Sequence, residues 1–280
     1  MKMKNILIAV SGVILVVLVA VLVYFVNRPS DSAQNTTDKT SQTTSQSTTS
    51  DSSSEAGQGT GIDGSETTQA KLDALALPQL TNTVSADEAE VEIQTTVGNI
   101  DIKLFPKLAP MAVQNFMTLA KQNYYNNNEF FRVIKDFMIQ TGDPGNTGTG
   151  SKSVVNGNKP FDTEISNQLY NIRGALALAN TGQPSSSSSQ FFIVQNTQDV
   201  SSQLTNYLRP AKIADAYKKG GAPSLDGSYT VFGQVISGMD VVDKIASAPV
   251  TANPNNPSEQ SLPKTPEKIT AIKILKDWKF

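Results

Sequence analysis

Phe130-Phe131-Arg132-Val133-Ile134-Lys135-Asp136-Phe137-Met138-Ile139-Gln140-Thr141-Gly142-Asp143-Pro144 is the stretch that decides the fold. Phe130–Ile134 and Met138–Thr141 are apolar and partly β-branched, with Lys135-Asp136 between them, so they read as two short strands joined by a turn. Gly142 ends the second strand, and a Gly-, Asn- and Ser-rich loop runs on to Pro160. Taken singly, Arg132 reads as a surface or salt-bridged arginine on a strand. Phe137 and Met138, taken singly, read as ordinary core.

Working outward, the pattern of short strands continues in both directions. Upstream, Val91–Thr96 and Asn99–Leu104 alternate in β-branched residues and flank Val97-Gly98, the mark of a hairpin turning at Gly98. Pro106 and Pro110 close that unit and open a helix over Pro110–Tyr124, with Val113, Phe116, Met117 and Ala120 on one face. Downstream, strands are expected at Ala175–Ala179, Gln190–Gln195, Tyr229–Ile236 and Ile269–Leu275, with a second helix at Met239–Ala246. Many short strands and few helices predict a mainly β fold, a largely antiparallel sheet or barrel with the two helices over its ends. Between Thr197 and Pro223 lies a segment with a short helix, Pro210–Gly220, which has Pro near its start and Gly past its end. It reads as a decorated surface loop, or as a lid or client-binding edge.

Composition narrows the chemistry. The chain has 280 residues, a formal net charge of −2, no cysteine and no histidine. The charge gives no reason to expect nucleic acid as a partner, and no basic stripe is present. Without cysteine there is no disulfide, thiol nucleophile or Cys-bound zinc. Without histidine the serine–histidine and cysteine–histidine triads are excluded, along with the commonest metal ligand. Asp162, Glu164 and Asp226 could suggest paired acid–base carboxylates, but turn and loop roles account for them. Asp143-Pro144-Gly145-Asn146 lacks the Gly-Lys-Ser/Thr ending of a phosphate-cradling loop.

The N-terminal part is different in kind. Asn5–Asn27 carries no charge and Ile6–Val26 is dominated by Ile, Leu and Val. As a helix it would be about 35 Å long, enough to cross a bilayer core. Lys2 and Lys4 precede it, so the positive-inside bias puts the N-terminus in the cytoplasm and the remainder outside. Residues 1–28 are therefore expected to be an uncleaved transmembrane signal-anchor, a cleaved signal peptide being the alternative. Residues 29–69 are roughly half Ser and Thr and too poor in apolar side chains to offset the entropy of ordering, so a disordered linker is expected there. Residues 70–280 are expected to form the globular domain.

Three segments resemble one family. The quoted stretch is similar to the cyclophilin signature around its active-site arginine. Gly174-Ala175-Leu176-Ala177-Leu178-Ala179-Asn180 with Ser189-Gln190-Phe191-Phe192-Ile193 resembles the second signature, and Leu225-Asp226-Gly227-Ser228-Tyr229-Thr230-Val231-Phe232-Gly233-Gln234-Val235 the third. Their order and spacing agree with the family over about Glu88 to Phe280. The resemblance implies a closed eight-stranded antiparallel β-barrel capped by two helices, and peptidyl-prolyl cis–trans isomerase activity with no cofactor and no metal. It implies that Arg132 is catalytic and that Phe137, Met138, Phe192 and Leu225 form the wall that receives the substrate proline. Gln140, Ala179, Asn180 and Gln190 match residues that hold the peptide backbone. Two site positions depart from the family: Ser224 stands where a tryptophan is usual, which puts strong cyclosporin binding in doubt, and Tyr229 stands where a histidine is usual.

That reaction suits a chain without His or Cys, because no bond breaks and no nucleophile is required. The expected partners are proline-containing segments of exported unfolded or folding proteins, and the membrane through the N-terminal helix; the chain is expected to be a monomer. The alternative expectation is a non-catalytic proline-peptide-binding module or chaperone at the cell surface.

Overall fold

The computed structural model describes residues 69–204 and 208–280. The expected transmembrane anchor and the linker up to Thr68 lie outside the described residues. Among the described residues no helix is long and apolar enough to cross a membrane.

Among the described residues, ten strands and four α-helices follow in this order. Helix α1 is Gln69–Asp73; β1 (Ala89–Thr95) and β2 (Gly98–Leu104) form the first hairpin; α2 is Pro110–Lys121. Strands β3 (Arg132–Ile134) and β4 (Met138–Thr141) come from the quoted stretch, followed by β5 (Ala175–Leu178) and β6 (Phe191–Val194). Helix α3 (Ala211–Tyr217) lies within the insertion, then β7 (Val231–Ser237) and α4 (Met239–Ala246). A second hairpin, β8 (Val250–Asn253) and β9 (Asn256–Pro263), precedes the last strand, β10 (Ile269–Lys276).

Eight of the strands form one antiparallel sheet in the order β10-β1-β2-β7-β5-β6-β4-β3. The sheet curls, but it is not the closed barrel that was expected. Its edges β10 and β3 share no ladder and meet only at an isolated bridge, Glu129 to Lys268. Backbone bonds from Asn127 N–H to Ile269 O (2.8 Å) and from Phe130 N–H to Glu267 O (2.9 Å) complete that short seam. The reason is local: β3 is three residues long and, beyond Glu129, it lies against β9 rather than β10. The second hairpin thus stands where closure would require β10. It was not expected from the sequence.

The interior follows from the pleat, which sends alternate side chains to opposite faces. Val133, Ile139, Leu176, Leu178, Phe191 and Ile193 point inward to join Ile93, Ile100, Ile102 and Leu104. Helix α2 lays Val113, Phe116, Met117 and Ala120 on them, and α4 adds Val242 and Ile245. Phe116 packs edge-on against Phe191 at 5.4 Å between ring centroids and tilted against Phe232 at 5.5 Å. The start of α2 has no side-chain cap of its own. Glu164 supplies one from a distant loop, accepting hydrogen bonds from Met111 N–H (3.0 Å) and Ala112 N–H (2.9 Å).

Candidate active site

The alternate residues of the same strands build a second apolar cluster on the outer face. Arg132 and Ile134 on β3, Met138 and Gln140 on β4, Phe192 and Val194 on β6, and Ala175 and Ala177 on β5 all face this way. Register places four of them in one row across four strands: Arg132 is opposite Gln140, Gln140 opposite Phe192, and Phe192 opposite Ala177. The neighbouring row is Ile134, Met138 and Val194. The inward residues of β5 are leucines and its outward residues alanines. The large inward side chains fill the core, and the outward alanines take up little space on the other face.

Phe137, in the turn between β3 and β4, joins this cluster, as do Ala179, Leu225 at the end of a 3₁₀ turn (Pro223–Leu225), and Tyr229. Tyr229 stands edge-on to Phe192, 5.7 Å between centroids at 82°. Burial raises the Tyr229 hydroxyl above its ordinary pKa, with the Arg132 charge pulling the other way. Ser224 is exposed. Eight of the residues singled out in the sequence therefore come together: Arg132, Phe137, Met138, Gln140, Ala179, Phe192, Leu225 and Tyr229.

The polar side of the site is a chain of hydrogen bonds. Arg132 Nη1 donates to Gln140 Oε1 at 3.2 Å and lies 3.8 Å from the Met138 sulfur. Gln140 Nε2 donates to Gln190 Oε1 at 3.0 Å. Gln190 Nε2 in turn donates to the carbonyls of Gly148 (3.1 Å) and Gly150 (2.8 Å). The loop bearing those carbonyls is wound around Asp143, whose carboxylate accepts from the N–H groups of Gly145, Thr147, Gly148 and Gly150. Gly142 lets this loop start, since φ is +94° and a Cβ there would lie 2.4 Å from the Ser189 carbonyl oxygen.

Two expected peptide-holding side chains are therefore engaged with the protein itself. Gln190 spends its amide on Gln140 and the loop. The Asn180 amide donates to Ser228 O at 2.9 Å and accepts from Gly182 N–H at 2.9 Å. Asp162, Glu164 and Asp226 do not converge. Asp162 accepts from Ser185, Glu164 caps α2, and Asp226 binds Arg209, Tyr217 and Asn171.

Sequence reasoning missed Glu259, on β9. Its carboxylate grips the other edge of Arg132, with Nε to Oε1 at 2.8 Å and Nη2 to Oε2 at 2.7 Å. A turn signal just before it is visible in Asn253-Pro254-Asn255, where the Asn253 side chain accepts from Asn255 N–H. The pairing itself was not, because the two residues are 127 positions apart. Burial works against the charged form of Glu259, but hydrogen bonds from Arg132 and Ser261 outweigh it and hold its pKa below the usual carboxylate value. Asp143 is likewise held low, burial being outweighed by the backbone N–H groups of Gly145 and Gly150.

A carboxylate whose folded pKa is depressed contributes stability that is complete above its unfolded pKa, near 4.5 for Glu and 3.8 for Asp. That stability is lost as pH falls through the lower folded value. The melting temperature is therefore expected to be flat from about pH 8 to 6 and to decline below about pH 4.5. Glu259→Gln should soften that decline, as read by calorimetry across pH. An unchanged acid limb would remove Glu259 from the account.

Residues 90–274 match the family model described as cyclophilin type peptidyl-prolyl cis-trans isomerase/CLD. The chain is 47% identical over 177 residues to a Staphylococcus aureus (strain COL) protein named "Putative peptidyl-prolyl cis-trans isomerase", a match covering 62% of this chain and 88% of that one. A Staphylococcus saprophyticus protein of the same name is 44% identical over the same shares. Among solved structures, the fold is similar to a Cryptosporidium parvum cyclophilin type peptidyl-prolyl cis-trans isomerase. The TM-score is 0.54 at 29% identity, with 68% of this chain and 99% of that one covered. A second crystal structure of the Cryptosporidium protein, in the presence of the dipeptide Ala-Pro, has a TM-score of 0.53 at 29% identity over 67% of this chain and 99% of that one.

Proposed function

This chain belongs to the cyclophilin-type peptidyl-prolyl cis–trans isomerases, and from that premise we propose that it uses Arg132 to accelerate X-Pro rotation in proteins folding outside the cytoplasmic membrane. The observation that carries the reading is the row Arg132, Gln140, Phe192 and Ala177, which sets one fixed cation beside an apolar cluster. The Ala-Pro dipeptide present with the Cryptosporidium relative supports a proline-containing peptide as the occupant.

Rotation about a prolyl bond is slow because it breaks amide resonance, with a barrier of about 18–20 kcal/mol. In the twisted state the nitrogen lone pair leaves resonance and becomes a hydrogen-bond acceptor. A donor fixed where that lone pair appears binds the twisted state better than either planar state, which is what lowers a barrier. Arg132 Nη1 is that donor, held between Gln140 and the Met138 sulfur. The proline ring sits among Phe137, Met138, Phe192, Leu225 and Tyr229, and Ala177 leaves it room. A reduction of about 7 kcal/mol would give roughly a 10⁵-fold acceleration. One charged hydrogen bond contributes about 1.5–3 kcal/mol. Exclusion of water by the apolar wall and the grip of the backbone by Gln140, Ala179 and the main chain at Asn180 account for the remainder.

The extracytoplasmic setting rests on the sequence of residues 1–69. An anchor at residues 1–28 and a Ser/Thr-rich tether would hold the isomerase where exported chains emerge unfolded. Uncatalysed X-Pro isomerisation takes tens of seconds, so it limits the folding of such chains. In cell fractionation, the full chain is expected with the membranes and a chain lacking residues 1–28 in the soluble fraction. Cleavage of the intact-cell protein by external protease should remove the isomerase domain. Recovery of the full chain in the soluble cytosol would end the localisation reading without touching the enzyme.

Gln190 holds Gln140 and the 142–150 loop in place beside the expected peptide. Gln190→Ala is expected to lower kcat/KM about tenfold, the usual scale for a misplaced active-site group. The check is cis-to-trans relaxation of a short X-Pro peptide; unchanged activity would detach the loop from the chemistry.

A further inference from the structure

Arg132 has five N–H groups, and their assignment in this structure is uneven. Glu259 takes the Nε–H and one Nη2–H, side-on and bidentate, at 2.8 and 2.7 Å. Gln140 takes one Nη1–H. Nη1, the terminal nitrogen that Glu259 does not hold, lies 3.8 Å from the Met138 sulfur, on the side where the apolar cluster begins. A side-on carboxylate fixes both the plane and the direction of a guanidinium, which a single hydrogen bond cannot.

Glu259 is itself held. The fully buried Ser261 donates its hydroxyl to Glu259 Oε1 at 2.6 Å, and Asn253 on the facing strand donates to Ser261 at 3.1 Å. The tip of the hairpin is fastened to the loop beside the site, Asn255 Nδ2 donating to Thr147 O at 2.5 Å. That same loop holds Gln190, which holds Gln140, which touches Arg132. The bonds close a ring from Arg132 through Gln140, Gln190, the 142–150 loop, Asn255 and the β8–β9 hairpin back to Arg132 by way of Glu259.

We infer that Glu259 is a positioning residue of the isomerase and that the β8–β9 hairpin is part of the active site, presenting the terminal edge of Arg132 to the prolyl nitrogen. This rests on Arg132 being the donor. The pair is only partly exposed, with Arg132 at 28% and Glu259 at 22%, so water competes weakly for either partner. Loss of the carboxylate releases the guanidinium to several rotamers. Peptide binding, which depends on the apolar wall, is little changed, while the fraction of bound complexes with the donor in place falls.

The test uses the full chain and a short X-Pro peptide, with kcat and KM separated, in four proteins: wild type, Arg132→Ala, Glu259→Ala and Glu259→Gln. Glu259→Gln keeps the shape and one acceptor, and serves if the alanine variant folds poorly. Expected are a kcat about tenfold lower for Glu259→Ala and about threefold lower for Glu259→Gln, with KM within twofold of wild type for both. The Arg132 Nε–H resonance, slowly exchanging in wild type, should exchange faster in Glu259→Gln and be lost to exchange in Glu259→Ala. If Arg132→Ala is inactive while both Glu259 variants keep wild-type kcat, the positioning role falls and the arginine mechanism stands. If either Glu259 variant is faster than wild type, the carboxylate is a brake and the inference is overturned. If Arg132→Ala is as active as wild type, the arginine mechanism fails and the inference falls with it.

Discussion

Arg132→Ala is expected to lower kcat/KM for an X-Pro peptide by about 100-fold or more while the peptide still binds. Removing one donor aimed at developing transition-state electron density typically costs 10²–10³ in rate. The proposed donor, Arg132, is charged and part-buried, with Glu259 on one edge and Gln140 on the other. The apolar wall is untouched by the change, so the dissociation constant of a proline peptide should move less than about threefold, as expected when an interaction made only in the transition state is lost. Arg132→Lys should be nearly as slow as Arg132→Ala. A lysine is a point charge that cannot satisfy Glu259 side-on and still present a donor to the hollow. The fold should survive, because a partly exposed Glu259 can rehydrate. Relaxation kinetics and peptide titration decide the matter together: an alanine variant keeping more than about a third of the activity would remove Arg132 from the chemistry.

The second large effect concerns stability. Asp226→Ala is expected to destabilise the domain by about 3–5 kcal/mol, the usual cost of removing one partner of a buried ion pair. Arg209 and Asp226 lie 3.0 Å apart with side chains 5% and 2% exposed. The same carboxylate accepts from the Tyr217 hydroxyl at 2.8 Å and from Asn171 N–H at 2.9 Å. Burial, then the Asp226 charge, pushes the Tyr217 hydroxyl far above its ordinary pKa, so it stays a donor. The substitution therefore removes a counter-charge from a buried guanidinium and an acceptor from two buried donors. For a domain of this size the melting temperature should fall by about 10 °C. Asp226→Asn, which keeps the shape and one acceptor oxygen, should fall about half as far. Asp226 also adjoins Leu225, so the alanine variant should bind proline peptides more weakly even below its melting temperature. A melting temperature within about 2 °C of wild type would show that α3 and its surrounding insertion are carried by packing of Ile213 and Tyr217 alone.

The Thr197–Pro223 insertion reads from sequence as a decorated surface loop, or as a lid or client-binding edge. It is tied to the domain on two sides. Asp226 holds Arg209 and Tyr217, and Asp73 on α1 accepts from Ala211 N–H at the start of α3. Gln69 on α1 donates to the Arg209 carbonyl at 2.7 Å. The described part of the insertion is thus a buttress behind Leu225.

Most strands and both long helices could be read from the chain because their signals are local. Short apolar runs mark Met138–Thr141, Ala175–Leu178 and Phe191–Val194 as strands, and the pleat then sends their alternate residues to opposite faces. Helical spacing in Pro110–Lys121 and Met239–Ala246 states which face is buried. The family signatures added the sites that such patterns cannot name. The β8–β9 hairpin escaped because Asn256–Pro263 is a polar strand with two prolines and little alternation, and its stability comes from pairing and from Arg132 rather than from its own residues.

Legible in the chain itself, then, were the pattern of strands and helices, the turns between them, and the reaction chemistry open to a chain without histidine or cysteine. The pattern depends on neighbours within a few residues, and the chemistry on composition alone. The tertiary structure alone decided that the sheet stays unclosed beyond the Glu129–Lys268 bridge, that Gln190 and Asn180 spend their amides on loops, and that Glu259 grips Arg132. Each of those outcomes turns on which backbone or side-chain groups arrive within about 3 Å of one another. That is set by register and by hairpin placement across more than a hundred residues of chain, and no local pattern of side chains encodes it.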